Sequence, residues 1–244
     1  MKKLMIAAAA LTAGFAMADV VSSDIVGYAQ NGLRNGGSMA TPQFANIGAT
    51  ESIPLQSIKP VGTDTSDNVS LQTLDSAGYT VDNYLWVNWA GDEGDQEAWI
   101  DSDTFEIVEG VEFAPGTGLW IQGSSVEQGI QSAGKVGRSD VVIALRNGGT
   151  IVGNPFPTAT NLQEILPEGD DTSDNVSLQT LDSAGYTVDN YLWVNWAGDE
   201  GDQEAWIDSD TFEIVENVTI AAGQGVWVQG SSTAQSIRFP APEL

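Results

Sequence analysis

The sequence predicts an all-β protein of two tandem, similar antiparallel units, each a β-sandwich or barrel-like sheet, with at most short helices. Three observations predict it. One long segment occurs twice without a change, from Asp64 to Glu109 and again from Asp171 to Glu216. Turn-forming clusters recur at short intervals: Asn35-Gly36-Gly37, Asp75-Ser76-Ala77-Gly78, Gly91-Asp92-Glu93-Gly94 and Pro115-Gly116-Thr117-Gly118. Between them lie short apolar runs rich in Val, Ile, Trp and Tyr, residues that pack well on a pleated surface.

In chain order, residues 1–18 read as a secretory signal. Lys2 and Lys3 precede an Ala-rich apolar run from Leu4 to Phe15, and Ala16-Met17-Ala18 forms a small-x-small cleavage site. The run is too short to span a bilayer, and no later run is long enough. The expected location is outside the cytoplasm: extracellular, on the cell surface, or periplasmic. Two units follow, 19–138 and 139–244, each near the size of a small domain. The repeat extends past the identical block. "LRNGG" at Leu33 returns at Leu145, and "GVEFAPGTGLWIQGSS" at Gly110 returns as "NVTIAAGQGVWVQGSS" at Asn217. Two units are few for a stacked solenoid; self-contained tandem domains, or two halves of one pseudo-symmetric β structure, fit better.

Within a unit, "YTVDNYLWVNWA" places Tyr84, Trp86 and Asn88 on one face and Leu85, Val87 and Trp89 on the other. Both faces carry large apolar groups, as in a central strand covered on both sides or one with an aromatic outer face. "TFEIVE" reads as a strand with Phe105 and Ile107 on one face. "GLWIQG" and "GVWVQG" read as short strands after a Gly turn. "TNLQEILP" (Thr160 to Pro167) reads as about two helical turns, with a capping residue and a Pro stop. "SIPLQSI" (Ser52 to Ile58) is its weaker counterpart.

Composition excludes several chemistries. There is no Cys and no His, so disulfides, thiolate zinc sites, thiol nucleophiles and His-based triads are absent. Thirty-four acidic residues oppose eight basic ones, for a net charge of −26. Such a surface repels nucleic acid, whose binding needs Lys and Arg to neutralise phosphate. It favours solubility and is screened by salt or divalent cations.

A family resemblance rests on three stretches. "TIVGNPFPTATNL" (Thr150 to Leu162), "YLWVN" (Tyr191 to Asn195) and "AAGQGVWVQG" (Ala221 to Gly230) together resemble the β-rich repeat units of many exported bacterial surface and secreted proteins. Those units read V-G-N-P-aromatic-P, then Y-x-W, then G-x-G-aromatic. The first copy keeps Tyr84-Leu85-Trp86 and Pro115-Gly116-Thr117-Gly118-Leu119-Trp120. It departs at Met39 to Gly48, where "MATPQFANIG" replaces the GNPFP stretch. The resemblance implies a β fold and a cell-surface or secreted protein, in a group mostly without assigned activity.

Two sets of residues are candidate sites. Asp92, Asp95 and Glu97, repeated as Asp199, Asp202 and Glu204, bunch in acidic loops that a hard cation such as calcium would suit. EF-hand spacing is absent, and a solvated acidic hairpin is the plain alternative. Tyr84, Trp86 and Trp99, with Tyr191, Trp193 and Trp206, would form a stacking platform for sugar rings if exposed, and core packing if buried. No catalytic residue and no cofactor other than such a calcium ion is expected. The expected function is a non-enzymatic structural or adhesive exported protein. The alternative is a carbohydrate-binding module. Self-association, other surface proteins and glycans are the expected partners.

Overall fold

The computed structural model describes residues 26–40, 52–91, 94–135, 138–198 and 201–242. The predicted signal segment and residues 41–48 of the first copy's departure lie outside them. The first half contributes β1 (Val26–Gly32), β2 (Gly36–Ala40), β3 (Ile53–Pro54), β4 (Lys59–Val61), β5 (Ser70–Leu74), β6 (Thr80–Gly91), β7 (Gly94–Asp101), β8 (Glu112–Phe113), β9 (Leu119–Gly123) and β10 (Gly129–Lys135). The second contributes β11 (Val141–Ala144), β12 (Gly148–Gly153), β13 (Thr160–Asn161), β14 (Leu166–Glu168), β15 (Ser177–Leu181), β16 (Thr187–Gly198), β17 (Gly201–Asp208), β18 (Thr219–Ile220), β19 (Gly225–Gly230) and β20 (Ser236–Phe239). The protein is all-β. No helix among the described residues is long and apolar enough to cross a membrane.

Every sheet draws its strands from one half. The five-stranded sheets have the orders β2-β9-β5-β6-β7 and β12-β19-β15-β16-β17, and the three-stranded sheets β1-β10-β4 and β11-β20-β14. All pairings between these strands are antiparallel. Alternation along each strand sends one set of side chains inward. In the first half, Leu71, Tyr84, Trp86, Trp99, Leu119 and Ile121 of the large sheet meet Ile58 and Ile130 from the side of the small sheet. The second half repeats this with Leu178, Tyr191, Trp193, Trp206, Val226 and Val228 against Ile165, Ile237 and Phe239. Each half is thus a sandwich of a large sheet on a small one.

The Asp-Ser-Ala-Gly segments turn β5 into β6 and β15 into β16. Asp75 Oδ1 accepts the backbone N–H of Ala77 (2.8 Å) and Tyr79 (2.9 Å), and Gly78 takes φ +86°. The Asp side chain satisfies turn amides, and only glycine adopts that backbone angle without cost.

Two sequence expectations need correction. "TNLQEILP" is no helix: Thr160 and Asn161 form β13, Leu162–Glu164 a single 3₁₀ turn, and β14 follows. "SIPLQSI" does the same around Leu55–Ser57. The turns serve their glutamines. Gln56 Nε2 donates to the carbonyls of Trp99 (2.9 Å) and Val108 (2.8 Å), while its Oε1 accepts Trp99 N–H (3.0 Å). Gln163 repeats this on Trp206 and Val215. A side-chain amide here continues the ladder at the outer edge of β7 and of β17. The second correction is "TFEIVE". Asp101 Oδ1 accepts the N–H of Asp103 and of Thr104, both at 2.9 Å, which bends the chain out of β7. Phe105 then takes a left-handed φ of +60° and is 66% exposed. The segment returns along β7 through a bridge of Ile107 to Ile100 and the bond from Val108 N–H to Trp99 O at 3.1 Å.

Candidate functional site

The predicted aromatic residues are core residues. Trp86 and Trp99 oppose each other across β6 and β7 and pack edge to face, with ring centroids 5.4 Å apart. Trp193 and Trp206 do so at 5.5 Å. Trp99 Nε1 donates to Ile58 O, and Trp206 Nε1 to Ile165 O, each at 2.7 Å, so each buried indole N–H is satisfied. Tyr84 and Tyr191 are buried beside them. Burial, and then the nearby carboxylates of Asp82 and Asp101 or of Asp189 and Asp208, push both phenols above the ordinary tyrosine value. None of these six rings presents a face to a sugar. The exposed tryptophans are Trp89 (41%) and Trp196 (40%), nearer the hairpin tips.

Of the predicted acidic residues, only Glu97 and Glu204 have side chains among the described residues. Asp92 and Asp199 lie outside the described residues, as do the side chains of Asp95 and Asp202; the backbones of Asp95 and Asp202 pair with Ala90 and Ala197. Glu97 and Glu204 are exposed and accept from Asn88 Nδ2 (3.3 Å) and Asn195 Nδ2 (3.0 Å) across their hairpins. No group of three metal-ligating side chains occurs among the described residues. Glu97 and Glu204 stand on the edge strands β7 and β17, where charge discourages pairing with a further strand.

The feature that sequence reasoning missed is the contact between the halves. On the outer face of each large sheet, Met39, Trp120 and Leu74 meet Ile151, Trp227 and Leu181 in a separate apolar cluster. The contact is reciprocal. Gly37 N–H donates to Ser183 O (2.8 Å), and Gly149 N–H to Ser76 O (2.7 Å). The Arg34 guanidinium donates to Leu181 O (3.1 and 3.2 Å), and Arg146 Nη1 to Leu74 O (2.9 Å). Isolated bridges join Ala40 to Gln224 and Thr117 to Val152. Each of these contacts has its counterpart with the halves exchanged, the hallmark of an isologous interface. The exposed edges of β2 and β12 are covered in the process.

Glycine makes this approach feasible. A Cβ on Gly36 would lie 2.9 Å from Ser183 O, and one on Gly148 2.7 Å from Ser76 O; Gly37 and Gly149 in turn seat the Trp120 and Trp227 rings of their own halves, where a Cβ would lie 1.7 and 1.6 Å from Cζ2. A Cβ on Gly118 would lie 2.2 Å from Ile151 Cγ2, and one on Gly225 2.9 Å from the nitrogen of Ala40. The Asn-Gly-Gly and Gly-x-Gly motifs are therefore contact surfaces as well as turns. Across the pseudo-two-fold lies an open cavity of about 530 Å³, lined from both sides by Gln72 and Gln179, Leu74 and Leu181, Thr80 and Thr187, Trp120 and Trp227. Thr80 Oγ1 donates to Gln72 Oε1 and Thr187 Oγ1 to Gln179 Oε1, both at 3.1 Å. The cavity lining carries no ionisable side chain, in contrast to the acidic surface around it. At the rim, backbone N–H groups of Tyr186 and Ala184, and also Arg34 across the interface, hold Asp182 below the ordinary carboxylate range.

Compared with known proteins, the chain matches no family model, and neither the curated proteins nor the solved structures contain a chain similar to it.

Proposed function

We propose that the chain is an exported, non-enzymatic structural or adhesive protein of the cell surface or extracellular space. One observation carries this reading: a reciprocal interface holds two copies of one identical surface in a single molecule. Tyr79, Trp89 and Phe105 are exposed in the first copy, and Tyr186, Trp196 and Phe212 in the second. Phe105 and Phe212 keep their exposed rings on left-handed backbone, φ +60° in both, at an energetic cost. A surface presented twice binds with avidity, because the second contact forms at the effective concentration set by the first. The resemblance to β-rich units of exported bacterial proteins supports the same reading.

Retention of the purified mature chain on the surface of cells that export it tests this. Saturable retention is expected. Trp89→Ser or Trp196→Ser alone should weaken it, and the two together should weaken it by ~100-fold, within the range avidity contributes. Absence of retention, or retention indifferent to both changes, argues against adhesion through these surfaces.

A further inference from the structure

We propose that each half is complementary to itself, so that a second copy of this chain can replace a half's partner at the interface and halves pair like with like between molecules. The inference goes beyond the adhesive reading and uses a different surface.

The argument rests on which residues meet. Every contact joins a flank of one half to the repeated block, or to the other flank, of its partner. The block side is Leu74 and Ser76 in one half and Leu181 and Ser183 in the other, within sequence identical in both. The receiving side is Arg34 and Gly37 in one half and Arg146 and Gly149 in the other, again the same residue types. A first half therefore carries both sides of its own interface, as does a second half. The central positions differ: Met39 corresponds to Ile151 in the repeat, Ala40 to Val152, and Thr117 to Gln224; so does the position of Ile143, which lies beside Gly116 and corresponds to Asn31. These differences fit like-with-like pairing. Gly118 already lies against Ile151 and Val152, so Gly225 in the equivalent place has room for the same pair. Gly225 already lies against Met39 and Ala40, so Gly118 has room for those.

Within one chain the halves are joined by the five residues between Lys135 and Val141. A short connection gives an effective concentration of order mM. Exchange between chains competes when the protein concentration approaches that value. Because each chain carries a net charge of −26, exchange also needs salt to screen the repulsion. Successive like-with-like pairs alternate along an open chain of molecules, and two chains paired through both halves close into a dimer.

The test begins with the full, cysteine-free chain. It is unfolded in guanidinium chloride and refolded at ~10 μM and at ~1 mM, below and near the effective concentration, then diluted and sedimented. Monomer is expected from the first sample. Dimers and larger species that persist after dilution are expected from the second, and their fraction should rise with salt. Monomer from both samples overturns the proposal. Two cysteine pairs then assign the pairing. A Cβ built on Gly148 lies 3.1 Å from Ser76 Cβ, and one on Gly36 3.2 Å from Ser183 Cβ, close to disulfide reach. Ser76→Cys with Gly148→Cys should cross-link within the closed monomer, which also shows that the left-handed Gly148 position tolerates the change. Ser183→Cys with Gly148→Cys places both thiols in one half, facing different partners. They should stay free in the monomer and link two chains in the associated fraction. Associated species in which this second pair stays unlinked overturn like-with-like pairing. Neither result bears on retention through Trp89 and Trp196, so the two readings fail separately.

Discussion

The two halves share an identical block yet brace it differently. Over that block the registers match strand for strand: Trp86 faces Trp99 as Trp193 faces Trp206, and a register shift follows Thr73 as it follows Thr180. The flanks diverge. Lys59 Nζ sits 4.8 Å from the centre of the Trp86 ring, whereas its counterpart Leu166 joins the second core. Arg238, central in the second small sheet, pairs with Glu168 (2.7 Å) and Asp140 (2.9 Å), while Gln131 holds that place in the first. Asn154 is buried in the second half and fully used: its Nδ2 donates to Thr158 O (2.7 Å) and Ile220 O (3.1 Å), and its Oδ1 accepts Phe156 N–H (3.0 Å). The comparison teaches that the block's fold depends on contacts carried within the block and on the glutamine that caps its edge, and that the flanks adjust stability around it.

The largest effect that could break this equivalence is loss of the inner indoles. Trp99→Ala and Trp206→Ala should each cost about 3–5 kcal/mol, as for other buried Trp truncations. If the block behaves alike in both settings, urea unfolding of the two variants should agree within about 1 kcal/mol, near the context spread of such values. A larger gap would mean that the flanks, not the block, set the packing there.

Next come the interface glycines. Gly37→Ala and Gly149→Ala each drive a methyl into a tryptophan ring and should cost about 1–3 kcal/mol, the usual range for overpacking. Because the contact is reciprocal, either change should raise the fluorescence response of Trp120 and Trp227 together. A response confined to one of them, read in single-tryptophan-replacement backgrounds, would show that the interface is not shared equally.

Gln56→Ala and Gln163→Ala should each cost about 1–3 kcal/mol, because truncation leaves the backbone N–H of the edge tryptophan without its acceptor. Hydrogen exchange should report the loss at Trp99 or Trp206 in the matching half only.

The flank differences sharpen the comparison at smaller scale. Lys59→Ala removes a cation over an aromatic face and should cost about 0.5–1 kcal/mol in the first half. Acid should separate the halves too. Backbone N–H groups of Thr104 and Asp103 hold the Asp101 carboxyl below its usual range, and those of Thr211 and Asp210 do the same for Asp208. Asp140 is lowered as well, by Ala241 N–H first and by Arg238. A folded value below the unfolded one contributes stability that is present above the unfolded value and is lost as pH falls through the folded one. Melting temperature should therefore fall as the pH drops below the ordinary aspartate range, and exchange protection should fall further in the second half, which adds Asp140 and Asp182. Asp140→Asn should remove the part of that excess that Asp140 carries, and Asp182→Asn the rest.

By itself the sequence determined the class and the punctuation of the fold. Period-two alternation in "YLWVN" and "GLWIQG" and the Asp-x-x-Gly turns depend on neighbours a few residues apart, so local chemistry suffices to specify them. Local chemistry misled where a distant partner decided the outcome. Leu162–Glu164 is one turn rather than a helix because Gln163 must reach the edge at Trp206, 43 residues away. "TFEIVE" bends because Asp101 takes two turn amides before a strand can start. The tryptophans offered core and platform alike, since burial depends on which sheet closes over a face and not on the residue type. The interface was the least legible feature. Gly36 reads as a turn residue in sequence, and only the packing of Ser183 against it, with O 2.9 Å from where a Cβ would stand, shows that the absence of a side chain is what allows the two halves to meet.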